Sequence, residues 1–253
     1  MAVAENVTVD PGLDKFKFGA LESIPKAPHP IIKDNIGGCS FYYINQEEQK
    51  IHLSNNIRKK GWAILSEATL DQYELIAFAG KFERETSASC YFKESNIAVF
   101  SNGSLLGVIY LQAKEDTLIG HFKKMDDGFL RLYSGDPLQV PVADLNVGTD
   151  GLTIGPISIN PLSYCGGQTK VPHLLRMPIL DARDKLFEFG FDPIENEQAS
   201  RSWTSKYYQG INELAGCGNG IPWCYFEYED KYSKVILRTL GADEVLRSDV
   251  LCK

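Results

Sequence analysis

Six cysteines stand at positions 39, 90, 165, 217, 224 and 252, and their spacing limits the chemistry open to them. A zinc site favours closely spaced Cys pairs backed by a second pair or by a His pair. No such pair occurs, and His29, His52, His121 and His173 are scattered without ligand spacing. A thioredoxin-like site needs Cys-x-x-Cys, which is missing too. A Cys–His nucleophile, for example Cys90 with His121, needs a free thiolate. Structural disulfides fit better. Cys217 and Cys224 flank a turn containing Gly218, Gly220 and Pro222, which can bring their Cα atoms within disulfide reach. Closing that loop stabilises a fold by about 2.5 kcal/mol in the chain-entropy account. Cys39–Cys90 is the second expected pair, since both lie in strand-like runs of one region, and Cys165–Cys252 follows by elimination. Disulfides persist in oxidising compartments, so a periplasmic or secreted protein is expected.

Other chemistries find little support. "GCGNG" (216–220) has the look of a dinucleotide fingerprint, but it follows a helical pattern and precedes a strand, the reverse of what that site needs. There is no phosphate loop, no G-x-S-x-G elbow and no H-E-x-x-H. "KMDDG" (124–128) lacks the alternating oxygen ligands that calcium takes and reads as a turn. No metal, no cofactor and no catalytic residue is expected. The net charge of −7 comes without clustered Lys and Arg, which argues against nucleic acid. No apolar run reaches the roughly 18 residues of a membrane helix, so membrane insertion is not expected. Ala2-Val3-Ala4 has the A-x-A form found before signal-peptidase cleavage, in keeping with export. The remaining signal is aromatic. Trp223, Tyr225, Glu227 and Glu229 fall at every second position along "WCYFEYED", an anchor-plus-charge pattern suited to binding a protein partner if that side of the hairpin is exposed, with a basic effector or enzyme as a candidate.

The elements that must carry these residues follow from periodicity. Residues 1–35, with Pro25, Pro28 and Pro30, read as an extended N-terminal arm. A β-rich domain is expected over 36–167, from runs such as "CSFYYI" (39–44), "KIHLS" (50–54), "YELIAFA" (73–79), "IAVFS" (97–101) and "FLRLYS" (129–134). "DQYELIAFAGKFERE" also admits a helix, and strand is preferred. Asn102-Gly103 between apolar runs predicts a tight hairpin. The proline-rich stretch 135–175 reads as a long connection, with a hairpin possible at "LTIGPISI". Over 168–253 the pattern changes. Ile179, Ala182, Leu186 and Phe189 form one helical face ending at Gly190, and Trp203, Tyr207, Ile211 and Leu214 suggest a second helix ending at Gly216. A hairpin follows. The expected fold is thus α+β: a mainly antiparallel β sandwich or barrel, then a small α-α-β-β unit stapled by Cys217–Cys224.

"ARDKLFEFGFDPI" followed by "CGNGIPWCYFEYEDKYSKVILRTLG" resembles a C-terminal pattern of small exported bacterial proteins of uncharacterised function. In that pattern a helix ending in glycine precedes a Cys-Gly-rich-Cys turn, an aromatic hairpin and a final Cys. The resemblance spans residues 178–252 and implies export and paired turn cysteines, not an activity. The expectation is an exported bacterial protein that binds another protein, as an inhibitor or immunity factor. The alternatives are a periplasmic or extracellular hydrolase using carboxylates, and a structural component of the envelope.

Overall fold

The computed structural model describes residues 6–29, 39, 52–84, 90–114, 116–135, 138–196, 211–217, 223–240 and 244–253. Of these, 54% are in strands and 8% in helices, with two helices in all. The expected α+β class with an α-α-β-β tail is therefore overturned: the protein is mostly β, in several sheets. The chain divides into two compact units, 1–124 with 128–157, and 125–127 with 158–253.

The first unit contains β1 (Val7–Val9), β2 (Phe16–Ala20), α1 (Ser54–Arg58), β3 (Ala63–Leu70), β4 (Tyr73–Arg84), β5 (Cys90–Ser101), β6 (Ser104–Leu111), β7 (His121–Lys124), β8 (Leu130–Tyr133), β9 (Pro141–Gly148) and β10 (Gly151–Gly155). One sheet runs β2-β6-β5-β4-β3, all antiparallel. The other runs β1-β10-β9-β8-β7, with only β1 parallel to its neighbour. Alternation builds the core. Tyr73, Leu75, Ala77 and Ala79 of β4 enter a cluster with Leu130, Leu132, Ala143, Leu145, Leu152 and Ile154, so the two sheets face each other. Ile76 and Phe78 point the other way, into a second cluster with Ile57 of α1, Trp62 and Ile24. Burial on both faces gives β4 a nearly continuous apolar run, and this is why its sequence also admits a helix. Asn102 and Gly103 join β5 to β6 with φ of 50° and 78°, the double positive φ of a type I′ turn.

Several expected elements differ here. Residues 7–9 and 16–20, read as part of an arm, are paired strands. The run 50–54 reads as a strand in the sequence, but Ser54 opens α1; residues 40–51 lie outside the described set. The stretch read as a connection holds β9 and β10. Pro141 is tolerated because it opens β9 beside a register shift, where its missing donor breaks no regular ladder. Arg131 and Asp144 face each other across β8 and β9. Nε and Nη2 donate to Oδ1 and Oδ2 at 2.8 Å each, with both side chains nearly sealed from solvent.

The second unit contains β11 (Leu162–Tyr164), β12 (Thr169–Val171), α2 (Ile179–Glu188), β13 (Asp192–Pro193), β14 (Leu214–Cys217), β15 (Trp223–Glu229), β16 (Ser233–Leu240) and β17 (Glu244–Cys252). β11 and β12 form a hairpin, and the other strands a sheet ordered β13-β15-β16-β17, with β14 also on β15. Three members of the expected helical face, Ile179, Ala182 and Leu186, are buried with Phe226, Tyr228, Val235 and Leu237 of the sheet, while the fourth, Phe189, is the exposed C-cap. The helix ends in a Schellman motif, in which the Phe191 N–H reaches Leu186 O and the Gly190 N–H reaches Phe187 O, with Gly190 at φ 82°. Most of the expected second helix (202–216) lies outside the described residues, at 202–210, and its described end is strand β14. Ile211 and Leu214 are buried as a helix would have them, but from an irregular residue and a strand, so their spacing imitates a helical period.

Three disulfides close, Cys39–Cys90, Cys165–Cys252 and Cys217–Cys224, the same pairs that the sequence led to. Cys90 is therefore not a free thiol. Cys217 and Cys224 are register partners on β14 and β15, so the staple joins two strands rather than a helix to a hairpin. Three disulfides suggest an oxidising environment.

Candidate functional site

The alternation in β15 places Trp223, Tyr225, Glu227 and Glu229 on one face of the second unit's sheet, half-buried, while Cys224, Phe226 and Tyr228 enter the core. Pairing with β16 sets their neighbours. Trp223 lies opposite Leu240, Tyr225 opposite Arg238, Glu227 opposite Ile236 and Glu229 opposite Lys234. β17 extends the same face with Arg247 opposite Arg238 and Asp249 opposite Ile236.

The face divides into two parts. Its centre is a lattice of ion pairs: Lys234 Nζ to Glu227 at 2.7 Å, Arg238 Nε to Asp249 at 2.9 Å, Arg247 to Asp249 at 2.7 Å, and Lys253 Nζ to Glu229 at 2.8 Å. The two glutamates singled out in the sequence are thus already neutralised within the sheet, and they do not project an acidic field. The other part is apolar. Trp223 stands beside Leu240, which is 46% exposed, and Tyr225 lies under the Arg238 guanidinium at 5.5 Å from the ring centroid. This cation–π contact favours that placement of the Tyr225 ring by about 0.5–1 kcal/mol. Leu240, Arg238, Arg247 and Asp249 were not singled out from the sequence. Only the register across three strands brings them to this face.

The opposite side of the sheet holds the face rigid. Glu213, fully buried, forms an ion pair with Arg183 Nε of α2 at 2.7 Å and accepts from the Tyr228 hydroxyl at 3.0 Å. Burial first, and then the Glu213 charge, push the Tyr228 phenol far above its ordinary range. At the β15–β16 turn, Asp230 accepts from Thr169 Oγ1 at 2.8 Å and from the Tyr232 and Ser233 amides. Burial alone would raise this carboxyl, but the hydrogen bonds outweigh it and hold it below the usual aspartate value. Asp126 and Asp127, read as a plain turn, accept from the Gly166 and Ser163 amides at 2.8 Å each and so anchor the β11–β12 hairpin.

Among the described residues, no group of three or more His, Cys, Asp or Glu could hold a metal ion, and no helix is long and apolar enough to cross a membrane. The chain matches no protein-family model, no curated protein and no solved structure.

Proposed function

We propose that this is an exported bacterial protein, periplasmic or secreted, that binds another protein through the aromatic end of its C-terminal sheet, in the manner of an inhibitor or immunity factor. One observation carries the reading. Trp223, Tyr225 and Leu240 stand together on a partly exposed sheet face whose charges already have partners. An interface anchor is an aromatic group on a pre-ordered scaffold, ringed by polar contacts that exclude water. The Cys217–Cys224 bond and the Arg183–Glu213–Tyr228 contacts supply the pre-ordering, which lowers the entropy lost on association. The complementary surface is an apolar pocket with a polar rim. The overall charge of −7 favours a basic partner during encounter, although Glu227 and Glu229 do not supply that field.

The experiment is affinity capture from periplasmic extract and culture medium of the producing organism, followed by calorimetry with the purified partner. The variant pair Trp223→Ala/Tyr225→Ala should bind at least about thirtyfold more weakly, as loss of a central anchor costs about 2 kcal/mol or more. Leu251→Ser, in the strand paired through Lys234 with the far end of the face, should bind like the unaltered protein. Equal binding by all three proteins would remove this face from the function.

A further inference from the structure

The first unit carries a groove of about 270 Å³ lined by Pro25, Pro28, Trp62, Glu94, Ser95 and Tyr110, among others. Its chemistry is unusual in three respects. Glu94 has φ of +53°, a left-handed conformation that a residue with a long side chain rarely adopts. The β4–β5 ladder pairs Ala79 with Ser95 and Lys81 with Lys93 but skips Gly80 and Glu94, and the Glu94 N–H leaves the sheet for Lys114 O at 2.9 Å. One oxygen of the Glu94 carboxylate and the hydroxyl of Ser95, itself 3% exposed, are sealed from solvent without a hydrogen-bond partner among the described residues.

These features share one location. A Cβ added to Gly80 would lie 2.8 Å from Glu94 Oε2 and 2.8 Å from Trp62 Cζ3, so the carboxylate and the indole edge converge over a glycine that leaves room for both. Trp62 is locked there: its Nε1 donates to Pro25 O at 2.8 Å, and its ring meets Phe78 edge-on at 4.9 Å. Strained backbone, a carboxylate oxygen lacking donors and fixed aromatic walls are what a pre-organised ligand site retains at a cost to stability. A carboxylate only accepts, so the missing ligand group is a donor, and a positive one answers its charge. Tyr110, 37% exposed, offers an aromatic wall that also favours a cation. Lys26 and Lys114 are exposed lining residues with no ion-pair partner among the described residues, and they suit an anionic end. Val108 and Leu111 add apolar wall.

We propose that this groove binds a small zwitterion, a free amino acid or short peptide, with its ammonium group directed to Glu94 and Ser95 and its carboxylate to Lys26 and Lys114. The site lies within the first unit and does not depend on the protein-binding face of the second.

Calorimetry on the full chain tests this with leucine, leucylalanine, N-acetylleucine, leucinamide and glucose. Leucine or leucylalanine should bind, and the tighter of the two identifies the source. N-acetylleucine, lacking the ammonium, should bind about tenfold more weakly or worse, as expected for a lost charge-assisted hydrogen bond. Leucinamide should bind more weakly than leucine, and Lys26→Ala/Lys114→Ala should abolish that difference. Glu94→Gln should reduce leucine binding by a similar factor of about ten. Glu94→Gly relieves the backbone and should lose binding while melting no lower than the unaltered protein. Failure of both zwitterions to bind, equal binding of N-acetylleucine, binding of glucose in their place, or a Glu94→Gly protein that melts several degrees lower would each overturn the proposal.

Discussion

Replacing Tyr228 by Phe removes one hydroxyl from beneath the candidate face and should alter how stability depends on alkaline pH. The hydroxyl is fully buried and donates to Glu213 at 3.0 Å, and both surroundings and partner oppose its ionisation. At neutral pH the substitution loses one hydrogen bond to a charged carboxylate, worth about 1.5–3 kcal/mol. Glu213 keeps Arg183 at 2.7 Å, so no buried charge is left stranded. In the unfolded chain the phenol ionises with an ordinary pKa of about 10, while in the folded protein it stays protonated well beyond that. The folded state thus holds a proton that the unfolded state releases, and stability falls as pH rises above the unfolded value. Linkage makes this loss under about 0.1 kcal/mol at pH 9, about 0.4 at pH 10 and about 1.4 at pH 11. The Tyr228→Phe variant has no such proton to lose. Urea titrations of the two proteins, followed by far-ultraviolet circular dichroism at each pH, should show a gap of about 1.5–3 kcal/mol at pH 8 that narrows by about 1.4 kcal/mol by pH 11. Other alkaline effects act on both proteins and cancel. A gap that stays constant from pH 8 to 11 would show that Tyr228 ionises as freely in the fold as outside it, and the account of this network would fail.

Asp144→Ala or Arg131→Ala should each cost about 3–5 kcal/mol by stranding a buried charge, whereas Arg131→Met/Asp144→Leu should cost far less than either; additive losses in denaturant midpoints would contradict this. Asp230→Asn should cost about 1 kcal/mol at pH 7. Because the folded carboxyl titrates below the unfolded one, that difference should shrink as pH drops through and below about 4; a difference that persists at pH 2 counts against the assignment. Removing Cys165–Cys252, separated by 87 residues, should destabilise more than removing Cys217–Cys224, separated by 7, at about 4.6 against about 2.4 kcal/mol. Double Ser variants with equal midpoints would set aside the entropic ordering.

Some of the molecule is written locally and some is not. The Asn102-Gly103 turn, α2 with its Gly190 stop, and the alternation of Trp223 to Glu229 each depend on a few adjacent residues, and the sequence shows them directly. The ion-pair lattice does not: Arg238 meets Asp249, and Arg131 meets Asp144, only through strand register. Glu213 looks like a polar residue in a helical stretch, and its burial follows from the neighbouring β14 pairing with β15. The Glu94 groove is the extreme case, since no sequence pattern announces a glutamate in a left-handed conformation. β9 and β10 are hidden because prolines around them read as punctuation.

The disulfide connectivity bears on how cells make this protein. Cys39–Cys90 stands apart, but Cys165–Cys252 encloses Cys217–Cys224, so the second and third bonds are nested. On the proposed export route, a chain translocated N-terminus first offers its thiols in sequence order. An oxidase joining each arriving thiol to the previous free one forms Cys39–Cys90 correctly, then Cys165–Cys217 and Cys224–Cys252, both non-native. Reaching the native set takes thiolate attack on those bonds through mixed disulfides. Maturation should therefore lean on a disulfide isomerase. A strain lacking that enzyme should accumulate mispaired protein, resolved by non-reducing electrophoresis. The Cys217→Ser/Cys224→Ser variant, with its competing thiols removed, should mature there as well as it does in the parent strain.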